Sequence, residues 1–114
     1  MTEAEQEILD SLQRQYEALH EKLPTILGLS SGCSASQKTQ FADTVNQALL
    51  NLVNAQNFLL GKEEALIQKI SADVQKSEQQ LTASLSSLAN MAHCVDQITD
   101  AVKGVATVLK ACAP

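Results

Sequence analysis

The chain has 114 residues, of which 45% are hydrophobic and 18% charged. This length suits one domain and is too short for two ordinary ones. The chain contains two prolines, four glycines, two phenylalanines and one tyrosine, whereas β-sandwiches and barrels need many aromatic residues in strands and many glycines and prolines in turns. The net charge of −5 and the scatter of its eight basic residues argue against a phosphate-binding surface. We therefore expect a single all-α domain over residues 1–114 with no nucleic-acid partner.

The first helix is predicted over about residues 3–23. Thr2 and Glu5 have the spacing of a capping box, and apolar residues then recur at intervals of three and four. Pro24 predicts the end of this helix, because a proline pushes the residue before it out of the α region. Residues 24–34 mix apolar side chains with glycine and serine, which predicts a packed connector.

The second helix is predicted over about residues 35–60. Ser34 and Gln37 have the spacing that caps a helix, and a broad apolar face follows them. Leu50, Val53 and Leu60 lie away from the centre of that face, so this helix has more apolar surface than one neighbour would cover. We expect it to lie inside a bundle or at an interface.

Residues 62–112 carry a heptad repeat that keeps one phase for seven consecutive heptads. Apolar residues at sevenfold intervals over this length are typical of a left-handed coiled coil. We expect this seam to be the interaction surface of the protein. Its predicted residues are Ile67, Val74, Leu81, Leu88, Met91, Val95, Ile98, Val102, Val105 and Leu109.

Two architectures are compatible with this repeat. An unbroken helix of roughly 50 residues would extend for about 75 Å, and the part of its seam left uncovered would need a second chain. A reverse turn within residues 84–90 would instead give a four-helix up-and-down bundle that could be a monomer. The continuous phase favours the long helix, since no glycine or proline marks a turn there. The predicted fold is thus an all-α bundle with long antiparallel coiled-coil-like helices, either three or four in number.

Three motifs suggest site chemistry, and each has a simpler explanation. His93 and Cys94 are adjacent, so on a helix they point about 100° apart and cannot bind one ion from the same face. Glu17 and His20 have the Glu-x-x-His spacing of di-iron bundles, but no second copy is present. Cys33 lies in a serine-rich loop without the base that a nucleophile requires. We predict no catalytic, cofactor-binding or metal-binding residue and no enzymatic activity.

The remaining features concern compartment and partners. Three widely spaced cysteines fit neither a disulfide framework nor a metal motif, and the acidic N-terminus has no signal-peptide pattern, so we expect a cytoplasmic protein. Residues 44–61 are uncharged, but six side-chain amides make them a poor membrane span.

We predict a structural, adaptor or inhibitory interaction module whose partner is a second copy or another helical protein. The alternative is an amphitropic or pore-forming protein that inserts a helix face such as residues 101–112 into a membrane interface.

Overall fold

The computed structural model describes residues 2–29, 32–86 and 91–113. Within these residues the secondary structure consists of four α-helices and contains no strand. The helices are α1 (Glu3–Leu27), α2 (Ala35–Phe58), α3 (Glu64–Leu85) and α4 (Met91–Lys110). The predicted all-α bundle is therefore confirmed, in its four-helix form.

Local hydrogen bonds explain where the first two helices begin. The hydroxyl of Thr2 accepts a hydrogen bond from the Glu5 backbone N–H at 3.2 Å. At the start of α2, Ser34 and Gln37 form a reciprocal capping box with distances of 2.9 and 3.1 Å. These contacts satisfy backbone N–H groups that have no partner within the helix.

Helix α1 continues past Pro24, where the sequence predicts its end, and stops only at Leu27. Proline removes one backbone hydrogen bond from a helix interior and crowds the preceding turn. That cost is offset here by tertiary packing, since Ile26 is fully buried in the core. The predicted connector over residues 24–34 is shorter for the same reason, because its first residues belong to the helix.

The favoured prediction of one long C-terminal helix is wrong. Helix α3 ends at Leu85, and α4 begins at Met91 and packs back against it. The cap residue Ser86 donates its hydroxyl hydrogen to the carbonyl of Ala83 at 2.7 Å, an alternative to continued helix. Leu81 and Val95 are two whole heptads apart, so the repeat keeps its phase although the chain reverses. Residues 87–90, including the predicted seam residue Leu88, lie outside the described residues.

The four helices form two antiparallel hairpins, α1–α2 and α3–α4, which pack side by side. Helix α1 lies next to α3 and α2 lies next to α4, so the connection from α2 to α3 crosses the bundle diagonally. Hydrogen bonds join Glu7 to Ser71 and, further along both helices, Arg14 to Glu78, so α1 and α3 run parallel. The crossing segment contains Gly61, whose φ of 76° is the left-handed conformation that glycine adopts without a penalty.

The core consists of two apolar clusters, one at each end of the bundle. One is built around Leu19, Phe41 and Val95, and the other around Leu12, Ile70 and Leu109. Between them lie buried polar side chains that connect one hairpin to the other. These residues determine how the hairpins are placed and which helix faces remain exposed.

Candidate functional site

The predicted interaction seam lies inside the bundle. Eight of its residues are at most 2% exposed and contact other helices of the same chain. They are Ile67, Val74, Leu81, Val95, Ile98, Val102, Val105 and Leu109. The side chains of Leu88 and Met91 lie outside the described part of the chain. A partner that binds the folded bundle must therefore use a different surface.

Helix α2 presents such a surface on the side opposite its core contacts. On this side Leu49, Leu50 and Val53 are 41%, 48% and 42% exposed, and Leu60, in the turn just after the helix ends at Phe58, is 70% exposed. Asn46 and Asn57 are also exposed, and with Leu50 and Val53 they recur at spacings of four, three and four, which places them in one row along the helix. We call this surface the α2 stripe; it consists of Asn46, Leu49, Leu50, Val53, Asn57 and Leu60.

The α2 stripe carries no charge although the chain as a whole is acidic. Residues 44–61 contain no Asp, Glu, Lys or Arg, while the net charge of the protein is −5. Asp43 lies before this segment, and Lys62, Glu63 and Glu64 follow it, so acidic residues flank both ends. The asparagine amides can both donate and accept hydrogen bonds without adding a charge. The surface is therefore apolar along its centre and has neutral polar groups at its margins.

Buried hydrogen bonds hold α2 against α4 with the stripe facing outward. The Asn51 side chain donates to the carbonyl oxygen of Val102 at 3.1 Å and accepts from Gln47 at 3.0 Å. The hydroxyl groups of Thr44 and Thr99 are hydrogen-bonded at 3.0 Å. A rotation of α2 about its axis would break these bonds in a buried environment, which costs about 1–3 kcal/mol for each unsatisfied group.

An equivalent set of contacts joins α1 to α3. Gln15 donates to the carbonyl oxygen of Val74 at 3.0 Å, while Ser11 donates to Glu78 at 2.6 Å. Arg14 binds both carboxylate oxygens of Glu78, at 2.9 and 3.0 Å. The hydrogen bond from Arg14 lowers the pKa of Glu78, against a smaller opposing effect of burial, and it raises the pKa of Arg14.

Both sets contain the same kind of hydrogen bond, in which a side-chain amide donates to the backbone carbonyl of a heptad valine on the neighbouring parallel helix. Buried polar contacts of this kind favour one register over others. Neither Gln15 nor Asn51 was predicted as a site residue, although the sequence contains a signal for both. Each is a polar residue at an apolar-face position, Gln15 between Leu12 and Leu19, and Asn51 between Ala48 and Ala55.

A groove of about 630 Å³ lies between α2 and α4, and polar side chains including Gln40, Asp43 and Lys103 line it. Gln40 donates to both Asp96 and Thr99 at 3.0 Å, so its amide N–H groups are already used. Every buried side-chain nitrogen or oxygen of the described residues has a hydrogen-bond partner. The described part of this groove thus contains no buried, unpaired polar atom that a ligand would satisfy.

The residues considered for metal chemistry lie in separate environments. Cys94 is buried in the core while the adjacent His93 is exposed and lies 3.0 Å from the Gln97 amide. Glu17 accepts a hydrogen bond from Gln13 at 2.8 Å. Within residues 2–29, 32–86 and 91–113, no three His, Cys, Asp or Glu side chains are grouped so that they could hold a metal ion.

The segment considered for membrane insertion also contributes to the core. Ala101, Val105, Leu109 and Cys112 are all buried, so residues 101–112 present no apolar face to the outside of the closed bundle. None of the helices in the described residues combines the length and the apolar character that crossing a membrane requires.

No protein-family model, curated protein or solved structure matches this chain.

Proposed function

We propose that the protein is a non-enzymatic helical interaction module, with a structural, adaptor or inhibitory role, which binds its partner through the α2 stripe. The observation that carries this proposal is the group of large apolar side chains left exposed on an uncharged helix face and in the turn after it, with Leu50 at 48% and Leu60 at 70%. Single exposed hydrophobic residues are ordinary, whereas a contiguous row bordered by polar groups is typical of a binding surface.

The energetics favour a role in binding over a role in folding. Burying the exposed half of a leucine or valine side chain would contribute about 1 kcal/mol per residue. Within the isolated chain, Leu49, Leu50, Val53 and Leu60 do not obtain this contribution, because no other helix covers them. A partner that covers all four would obtain several such contributions at once.

The composition of the stripe favours a protein partner over a lipid surface. Helices that lie on membranes combine Lys and Arg on a polar face with Trp or Phe on the apolar face. Residues 44–61 contain no basic residue, and Phe58, their one aromatic residue, is partly buried and packs against the core. We place the protein in the cytoplasm, because an odd number of widely spaced cysteines fits a reducing compartment.

Photocrosslinking in cells tests the proposal. A photoreactive amino acid replaces Val53 in the full chain, and the matched control carries it at Ala72, an exposed position on α3. We expect a discrete protein adduct from position 53 and none from position 72. Equal labelling at both positions, or no adduct at position 53, would contradict the proposed function, and a lipid adduct at position 53 would favour the membrane alternative.

A further inference from the structure

We infer that two copies of this chain exchange hairpins, so that the α1–α2 hairpin of each copy packs against the α3–α4 hairpin of the other. This inference goes beyond the proposed function, because the helical part of the α2 stripe takes no part in the exchanged contacts. Two observations carry it: the contacts that join the hairpins, and the short connection between them.

Buried, directional hydrogen bonds join the two hairpins. The Gln15 amide is 2% exposed and donates to the carbonyl oxygen of Val74 at 3.0 Å. The Asn51 amide is 1% exposed and donates to the carbonyl oxygen of Val102 at 3.1 Å. A hairpin of unrelated sequence would leave these amides without matching neighbours, which is costly away from water. A second copy presents the same neighbours in the same positions, so it satisfies both amides as well as the chain's own hairpin does.

Neither hairpin has a complete core without the other. One apolar cluster contains Phe41 and Val95, and the other contains Leu12 and Ile70, so each cluster is built from both hairpins. These four side chains are at most 1% exposed, and separating the hairpins would return them to water. An opened chain buries them again either by closing on itself or by pairing with the matching hairpins of another opened chain.

The connection between the hairpins is short and weakly held. Residues 59–63 cross the diagonal of the bundle, which is about 11–14 Å for helices packed about 8–10 Å apart, and five extended residues reach about 17 Å. Within this reach they form a turn, in which the Lys62 N–H donates to the Leu59 carbonyl oxygen at 3.3 Å and Gly61 has a φ of 76°. Leu60, in the same turn, is 70% exposed. Short connections of this kind favour exchange, because opening them loses few contacts.

The exchanged dimer keeps the contacts of the closed chain and changes only the connection. In an opened chain α2 and α3 lead away from each other, so Gly61 no longer needs a left-handed conformation. The hairpins must separate before they can exchange, so we expect the dimer to form during refolding at high concentration and to persist on dilution. Each dimer carries two α2 stripes, which increases the avidity for a partner with two binding sites.

A charge exchange between Arg14 and Glu78 tests the pairing. Arg14 of the first hairpin binds both carboxylate oxygens of Glu78 in the second, at 2.9 and 3.0 Å. Arg14→Glu and Glu78→Arg are prepared as separate full-length chains. In either chain alone, positions 14 and 78 carry like charges. In an exchanged dimer with one chain of each kind, both contacts join opposite charges, because each position 14 meets position 78 of the other chain.

The two chains are unfolded together and refolded at high concentration, and native mass spectrometry then counts the pairs. We expect at least about fivefold more mixed dimers than dimers of like chains combined, whereas random pairing gives equal amounts. The matched control is the chain that carries both substitutions, refolded with the native chain, which should form fewer mixed dimers than random pairing gives. Random pairing in both mixtures, or the absence of dimers, would overturn the exchange.

Gly61→Ala in the otherwise native chain gives a second readout that does not depend on these charges. Alanine disfavours a φ of 76° and destabilises the closed turn, whereas the opened connection accepts it. After refolding, sedimentation velocity should show at least about fivefold more dimer relative to monomer than in the native chain, while the control Gly104→Ala in α4 should leave this ratio unchanged.

Circular dichroism verifies that both glycine variants are helical. An unchanged or lower dimer ratio for Gly61→Ala would overturn the exchange. The crosslinking result at position 53 decides the proposed function independently, because that position is exposed in the closed chain and lies outside the exchanged contacts.

Discussion

Replacing Asn51 by aspartate tests whether the buried amide fixes α2 against α4. The Asn51 side chain is 1% exposed, and it donates to the carbonyl oxygen of Val102 at 3.1 Å. Aspartate has nearly the same shape, but its carboxylate cannot donate a hydrogen bond. The substitution therefore places a negative charge beside a carbonyl oxygen, while the bond from Gln47 at 3.0 Å remains available.

The expected loss of unfolding free energy at neutral pH is about 3–5 kcal/mol, the usual cost of a buried charge without a partner of opposite sign. Burial raises the folded-state pKa of the introduced carboxyl above its unfolded value of about 3.9. The folded state then binds the proton more tightly, so stability is retained below pH 3.9 and lost as the pH rises through the raised pKa. Below that pKa the protonated carboxyl can donate to Val102 again, and the difference from the native chain becomes smaller.

Urea unfolding at several pH values, at concentrations where the chain is monomeric, measures this effect. The matched control is Asn46→Asp, which makes the same change at an exposed position of the same helix. Equal losses of unfolding free energy in the two variants, or a loss at position 51 that does not depend on pH, would show that the buried amide does not hold α2 against α4.

Three further predictions concern other parts of the bundle. Arg14 lowers the pKa of Glu78, so their contact stabilises the fold at pH values above the ordinary carboxyl pKa of about 4.5. This stabilisation is lost as the pH falls through the lower folded-state pKa. In an acid titration, Glu78→Gln should therefore lose less unfolding free energy than the native chain. Pro24→Ala should raise the unfolding free energy by up to about 3 kcal/mol, because it restores a helical hydrogen bond, and the melting temperature should rise with it. An unchanged melting temperature would contradict this. Gly61→Ala should lower the unfolding free energy by about 1 kcal/mol because φ is 76°, whereas Gly104→Ala in α4 should raise it by about as much. An added Cβ meets no atom within 4 Å at either site, so the difference comes from the backbone alone. Equal effects in thermal melts would contradict this explanation.

Local patterns in the sequence were sufficient to predict the helical class and the surplus of apolar surface on α2. Leu50, Val53 and Leu60 lie away from the centre of the predicted core face of α2, and in the structure all three are exposed. Helical periodicity carries this information because each residue turns the chain by a fixed angle.

The chain reversal between α3 and α4 could not be predicted in the same way. Periodicity describes which face of a helix is apolar, but two helices that face one core can keep the same phase across a turn. Leu81 and Val95 do this because two whole heptads separate them. The end of α1 was missed for a related reason, since the burial of Ile26 depends on packing that a local proline rule does not include.

Nuclear magnetic resonance of methyl groups in a titration with cell extract from the source organism tests most directly whether the α2 stripe is the surface that binds a protein partner. We expect the methyl signals of Leu50 and Val53 to shift together along one binding curve as the amount of extract rises, while those of Leu66 on α3 stay constant. Leu50 and Val53 signals that do not change over that range, or changes centred on Leu66, would contradict the proposed function.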